Sequence, residues 1–306
     1  VYYVVGAAGG VAALRASSGL RRLAATLDRP WVPAAVWAVT FTAHLFAGRL
    51  GITFGYSRDA LQLRARGSDR SLAVIADRTF LDLGFAGTYG RLRLHFNFEM
   101  PLTASGNSGQ IGGYSFAAPN VNLSTHPDLI SDARFGADVR ILGEPNGPAR
   151  LGVSAQFFFP NGDRDDYMSD NTFRAMLRAL WAGDLGRFSY AGQLGVHVRP
   201  LSEPNIPGSP RGSELLFGLA VGARARLSPD TSVVIGPEVF GETAFSDLLK
   251  GSATGVECLM GSRLETPVDS QRTLRVRLAL GGGLHPRFGA PEWRALVGLE
   301  LFGDVR

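Results

Sequence analysis

Five histidines, His44, His95, His126, His197 and His285, are dispersed through the 306 residues. No two stand at the i, i+4 spacing by which a helix offers a pair of imidazoles to one metal ion. Asp163, Asp165, Asp166 and Asp170 form an acidic run of the oxygen-ligand type that Ca²⁺ takes. However, Tyr167 falls where an EF-hand loop carries Asp or Asn, and no Gly follows it, so the run reads as a solvated loop. Ser108 sits in Gly106-Asn107-Ser108-Gly109, which is not the Gly-x-Ser-x-Gly of a nucleophile elbow. Gly281-Gly282-Gly283 and Gly9-Gly10 lack the Lys-Ser/Thr of a phosphate-binding loop. Cys258 is the single cysteine; lying between Val256 and Met260, it reads as a small hydrophobe. No catalytic set, no metal site and no cofactor is expected, and the chain does not read as an enzyme.

The residues that remain are charges at every second position. In Arg91-Leu-Arg-Leu-His-Phe-Asn-Phe-Glu-Met100, the even positions are apolar and the odd ones polar. Successive strand side chains face opposite sides of a sheet, so this is one greasy face backed by one charged face, whereas a helix would scatter both sets. The same alternation puts Arg93, His95 and Glu99 on one polar face. It does so for Arg134, Asp138 and Arg140, for His197 and Arg199, for Arg224 and Arg226, and for Glu238 and Glu242. Arg275 and Arg277, and finally Arg294 and Glu300, follow the same rule, with Glu257 a further carboxylate of this kind. These are the candidate functional residues.

The elements that must position them are about twelve period-two runs: 50–56, 79–89, 91–100, 133–141, 151–159, 173–182, 193–199, 215–226, 233–243, 255–264, 274–281 and 293–301. Turn formers mark short reversals at Tyr89-Gly90, Glu144–Pro148, Gly183–Gly186, Ser228–Thr231 and Thr266–Ser270. Longer connections, 58–71, 104–129, 160–172, 200–213, 246–253 and 284–291, alternate with them. Short turns then share one end of an antiparallel meander and long loops the other.

Patterning alone does not say which face is inside. About twelve strands enclose more room than side chains can fill, since about eight is the size that packs shut. Many runs reach the ~9–11 residues that a tilted strand needs to cross a bilayer. Aromatics stand near strand ends, at Tyr56, Tyr89, Phe157, Phe159, Trp181, Phe188, Tyr190, Trp293 and Phe302, where interfacial girdles lie. The fold expected is therefore all-β, a transmembrane up-and-down antiparallel β-barrel of about twelve strands over 33–306. Its charged face lines the lumen, and its apolar face meets outer-membrane lipid and lipopolysaccharide. Short turns and both termini face the periplasm. Residues 1–32 read as a periplasmic helix, a plug or a leader remnant.

Composition agrees with this. Hydrophobic residues make up 45% and charged residues 19%, and no run approaches the ~18 consecutive apolar residues of a membrane helix. Net charge is +4, with Lys250 the only lysine and the arginines scattered, so the clustered footprint of a nucleic-acid binder is missing and no nucleic-acid partner is expected.

From Ile130 onward the chain resembles the barrel modules that precede OmpA-like peptidoglycan-binding domains in GC-rich Gram-negative bacteria. The resemblance lies in Phe159-Pro-Asn-Gly-Asp-Arg-Asp-Asp166, Gly183-Asp-Leu-Gly-Arg-Phe-Ser-Tyr-Ala-Gly192 and Val234-Ile-Gly-Pro-Glu-Val-Phe-Gly241. It implies the outer membrane as location and porin-like or envelope-anchoring roles. Arg306 ends the chain without that periplasmic domain, so the resemblance does not carry peptidoglycan binding to it. Two functions follow from the charged face. Paired charges would make the barrel a structural or partner-binding component of a larger envelope assembly, with loop 104–129 as plug or dock and other envelope proteins as partners. Unpaired arginines would make it a narrow porin-like channel for small polar or anionic solutes.

Overall fold

In a computed structural model, the protein forms a closed barrel of twelve antiparallel strands. It describes residues 47–65, 70–121, 130–145, 147–201, 212–285 and 289–303, so the expected N-terminal segment 1–32 lies outside the described residues. In chain order the strands are β1 (Ala47–Arg64), β2 (Ser71–Tyr89), β3 (Leu92–Ser105), a two-stranded flap of β4 (Gly109–Ile111) and β5 (Tyr114–Phe116), β6 (Ala133–Leu142) and β7 (Arg150–Phe159). They continue with β8 (Arg174–Leu185), β9 (Phe188–Val198), β10 (Glu214–Arg226), β11 (Ser232–Ala244), β12 (Thr254–Pro267), β13 (Arg272–His285) and β14 (Trp293–Gly303). Each barrel strand pairs with its neighbour in sequence, β3 reaches past the flap to β6, and β1 closes onto β14. No helix among the described residues is long and apolar enough to cross a membrane.

Tight turns join β2–β3, β6–β7, β8–β9, β10–β11 and β12–β13, all at the end where β1 begins and β14 stops. At β8–β9 two residues make the reversal, with Leu185 opposite Phe188, and Gly186 takes the left-handed backbone (φ 62°) that such a turn demands. The other end carries the longer connections. One expectation fails there. Of the expected loop 58–71, residues 58–64 are strand, because β1 and β2 stay paired to Arg64 opposite Ser71, past an irregularity near Asp59 (φ 47°). Leu61 opposite Ile75 and Leu63 opposite Leu72 hold this extension. Backbone pairing persists where the alternation of apolar and charged residues, the signal read from sequence, has faded.

The register fixes both faces. Following cross-strand partners around the barrel, Arg49, Ala86, His95, Gly136, Gln156, Met176, His197 and Glu214 fall on one side. Ile52, Leu83, Phe98, Leu194, Leu219, Leu278 and Val297 fall on the other. Burial is inverted relative to a water-soluble protein. Leu219 is 55% exposed and Leu278 52%, whereas the carboxylates of Glu214 and Glu300 are 1% exposed. Exposed large hydrophobics recur on nearly every strand, far more than scattered single residues on a wetted surface. Aromatics flank this belt: Tyr56 packs on Trp293 at 4.8 Å near the loop end, and Phe159 meets Phe173 edge-on at 5.7 Å. Phe302, expected in the girdle, instead points inward. Its register partner is Arg49, and two guanidinium groups flank its ring.

Pairing is least extensive between β3 and β6, where the rungs run only from Leu92 opposite Val139 to Asn97 opposite Arg134. Beyond that point the ladder stops, the Ser131 N–H still donates to the Glu99 carbonyl at 2.7 Å, and Leu81, Phe98 and Met100 pack with Ile130 and Ala133.

Candidate functional site

The inner faces enclose a cavity of about 380 Å³, lined from eleven of the twelve barrel strands and by Gly289 and Ala290 of the β13–β14 connection. Its walls mix arginine, glutamine, histidine and glutamate with Phe158, Leu216 and Phe240. Register puts the strand-borne sequence candidates on this inner face, and their surroundings differ by level.

At the turn end, Arg275 is clamped by Glu265, at 2.6 Å, and by Glu300. Arg277 reaches Glu300 at 3.4 Å and Arg263 reaches Glu265 at 3.2 Å. Arg224 meets Asp184 at 2.8 Å, and Arg93 pairs with Asp138, whose other oxygen lies 3.5 Å from His95. Arg140 and Arg226 make no ion pair with the described residues, and one Nη of Arg140 is buried without a partner. Nine arginines lie on inner-facing positions within six residues of the turns: Arg49, Arg93, Arg140, Arg150, Arg224, Arg226, Arg263, Arg275 and Arg277. They face four carboxylates, Asp138, Asp184, Glu265 and Glu300. The surplus is five positive charges.

The loop end has the opposite balance. Arg78 pairs with Glu99, Arg134 with Asp82, and Arg294 with Glu257 at 3.2 Å. Arg199, just beyond β9, grips Asp170 through two bonds of 2.9 and 2.8 Å and also reaches Glu214, which bonds His197 at 3.0 Å. Arg174 joins Asp132 at 2.7 Å and Asp170 at 3.3 Å. Glu242 lines the cavity and makes no ion pair with the described residues, and Glu238, four residues turnward and between the two levels, makes none with them either. The count here is five arginines against seven carboxylates, with Glu242 the unmatched one.

The β7–β8 connection folds into this mouth. Met168 is 4% exposed, its sulfur 3.5 Å from Arg78 and from Ser131, and Asp132 fastens it through the backbone of Gly162. Tyr167 and Asp166 tie the same connection to Ala117 and Asn120, so it and the flap-bearing connection form one shelf. The expected solvated acidic loop is thus a fastened one. Asp163 caps its own turn through Asp165, and no group of three or more metal-ligating side chains is found among the described residues.

Sequence reading missed Arg49, Arg78, Asp82, Arg174, Asp184, Glu214, Arg263 and Glu265. All lie on the inner face or its rim, and counting by twos along each run from any one inner residue would have found those within strands.

No protein-family model matches the chain, and no curated protein matches it. Solved structures do. An outer-membrane channel from Pseudomonas putida F1 aligns with a TM-score of 0.50 at 16% identity, over 84% of this chain and 96% of that one. The NanC porin aligns at 0.49 and 7% identity, over 84% and 100%. The β domain of the Bordetella autotransporter BrkA aligns at 0.43 and 11%, over 85% and 100%. The likeness to barrels that precede OmpA-like domains finds no support in these matches. The twelve closed strands, the apolar exterior and the charged interior together identify the chain as an outer-membrane β-barrel.

Proposed function

We propose that the barrel is a narrow passive channel for small polar solutes that favours anions and performs no chemistry on them. The observation that carries this reading is the inner wall near the turns, where nine arginines outnumber four carboxylates and two of the nine, Arg49 and Arg93, line the cavity. Fixed positive charge in a narrow wet path between low-dielectric walls concentrates anions and repels cations. The apolar exterior supports lipid and lipopolysaccharide as its surroundings. The test is reconstitution into planar bilayers under a KCl gradient. Discrete conductance steps with a reversal potential on the chloride side are expected; silence from folded, heat-modifiable protein would remove the reading.

One observation favours a second role, as a partner-binding component of an envelope assembly. The shelf built from the two hydrogen-bonded connections carries the flap, with Tyr114 on its outside. Isolation from native membranes as a lone species would count against this role, and a stoichiometric companion protein would support it.

A further inference from the structure

On the inner face of β2, Gly84 and Ala86 are small, and they leave a recess between the long side chains of β1 and β3. The register places Arg49 opposite Ala86 and Ala86 opposite His95, with Gly84 opposite Asn97. Arg49, Arg93, His95 and Asn97 line the cavity around this recess. The Asn97 amide nitrogen lies over Gly84, where a Cβ would meet it at 2.1 Å, so glycine lets that amide lie flat against the wall and the open part of the recess is over Ala86.

Arg49 differs from the arginines around it. Its guanidinium carbon lies 5.0 Å from the centre of the Phe302 ring, and Arg275 packs on the same ring at 4.5 Å. Arg275 is occupied by Glu265 and Glu300, whereas Arg49 makes no ion pair with the described residues. It lies within electrostatic reach of Arg93, Arg275 and Arg277, with Glu300 the one carboxylate among its main charged neighbours. A guanidinium held by a ring, with its donors left over, beside an amide and an imidazole, is a receptor for an anion with two or more oxygens.

We propose that the recess over Gly84 and Ala86 is a binding site for a compact oxyanion, carboxylate or phosphate, held by Arg49 with Asn97 and His95. This deepens the channel reading by naming where a permeating anion pauses, although binding itself does not require conduction. Arg93, engaged with Asp138, contributes field in addition to any contact.

Calorimetric titration of the purified barrel in neutral detergent at low ionic strength, with inorganic phosphate and separately with acetate, tests it. Saturable binding of at least one is expected, and the stronger of the two identifies the geometry preferred. Arg49→Gln should weaken binding about tenfold or more, the scale of a lost charge-assisted hydrogen bond. Ala86→Leu should abolish it with no change of charge, by filling the recess. Arg187→Gln removes one positive charge from the exposed β8–β9 turn and should leave the affinity within about twofold at a salt concentration that screens that distance. Equal affinity in wild type and Arg49→Gln, or no binding to wild type, overturns the proposal. If Ala86→Leu does not fold, Arg49→Gln decides alone. Binding without bilayer conductance would keep the site and remove the channel, and conductance without binding would do the reverse.

Discussion

The two ends of the interior are built from the same residue types and arranged for different purposes. Near the loops, five arginines meet seven carboxylates, each arginine has a partner, and several pairs fasten connections across the mouth, as Asp170 does for Arg174 and Arg199. Near the turns, nine arginines share four carboxylates, and Arg49, Arg140 and Arg226 pair with none among the described residues. Counting charged residues along the chain would average these ends to an interior of mixed sign. Separating them shows closure at one level and an unspent positive field at the other.

The largest test of that contrast is Glu300→Gln. Glu300 is buried against both Arg275 and Arg277, so its loss takes a counter-charge from two guanidinium groups and leaves Arg275 with Glu265 alone. Unfolding in urea should show a loss of about 3 kcal/mol, the lower bound for breaking a buried pair given the wet lumen around it. The reversal potential should move further toward chloride. Glu214→Gln, which takes the buried carboxylate from Arg199 and His197 at the other end while Arg199 keeps Asp170, should cost about 2–3 kcal/mol and shift ion preference less. Equal shifts from the two variants would erase the distinction between the ends. Asp170→Asn should cost about 1–2 kcal/mol, because it weakens charge-assisted bonds at the rim. Its main sign would be faster proteolysis between residues 160 and 173 with ion preference unchanged. The smallest effect is that of salt. Raising KCl from 0.1 to 1 M shortens the screening length from ~10 to ~3 Å, so chloride preference should fall while the barrel stays folded.

Most of the architecture was legible because a barrel strand carries its address in every residue. Arg91 to Met100 states its two faces outright, and the alternation of short turns with long connections fixes the meander. What was illegible lies where that code weakens. The β1–β2 ladder above Arg58 keeps its rungs after its apolar row has mixed with charge. Phe302 reads as a girdle aromatic by position but belongs to the inner row by parity with Arg49 and Glu300. Arg263 and Arg174 went unnoticed because apolar residues on the inner face, Leu259 in the run 255–264 and Met176 and Leu180 in the run 173–182, blur the period. The division of charge between the two ends could not be read along the chain. It depends on which strands stand level with each other, and that stagger is a property of the closed sheet.

The short β3–β6 ladder has a mechanical consequence. A cylinder of hydrogen bonds has no loose margin from which to peel, so force applied to it must first rupture one whole ladder at once. Six rungs part sooner than the ten or more that join β1 to β14 or β2. A tip pulling on this molecule should therefore see its first tear between Leu92–Asn97 and Arg134–Val139, away from the chain's own ends.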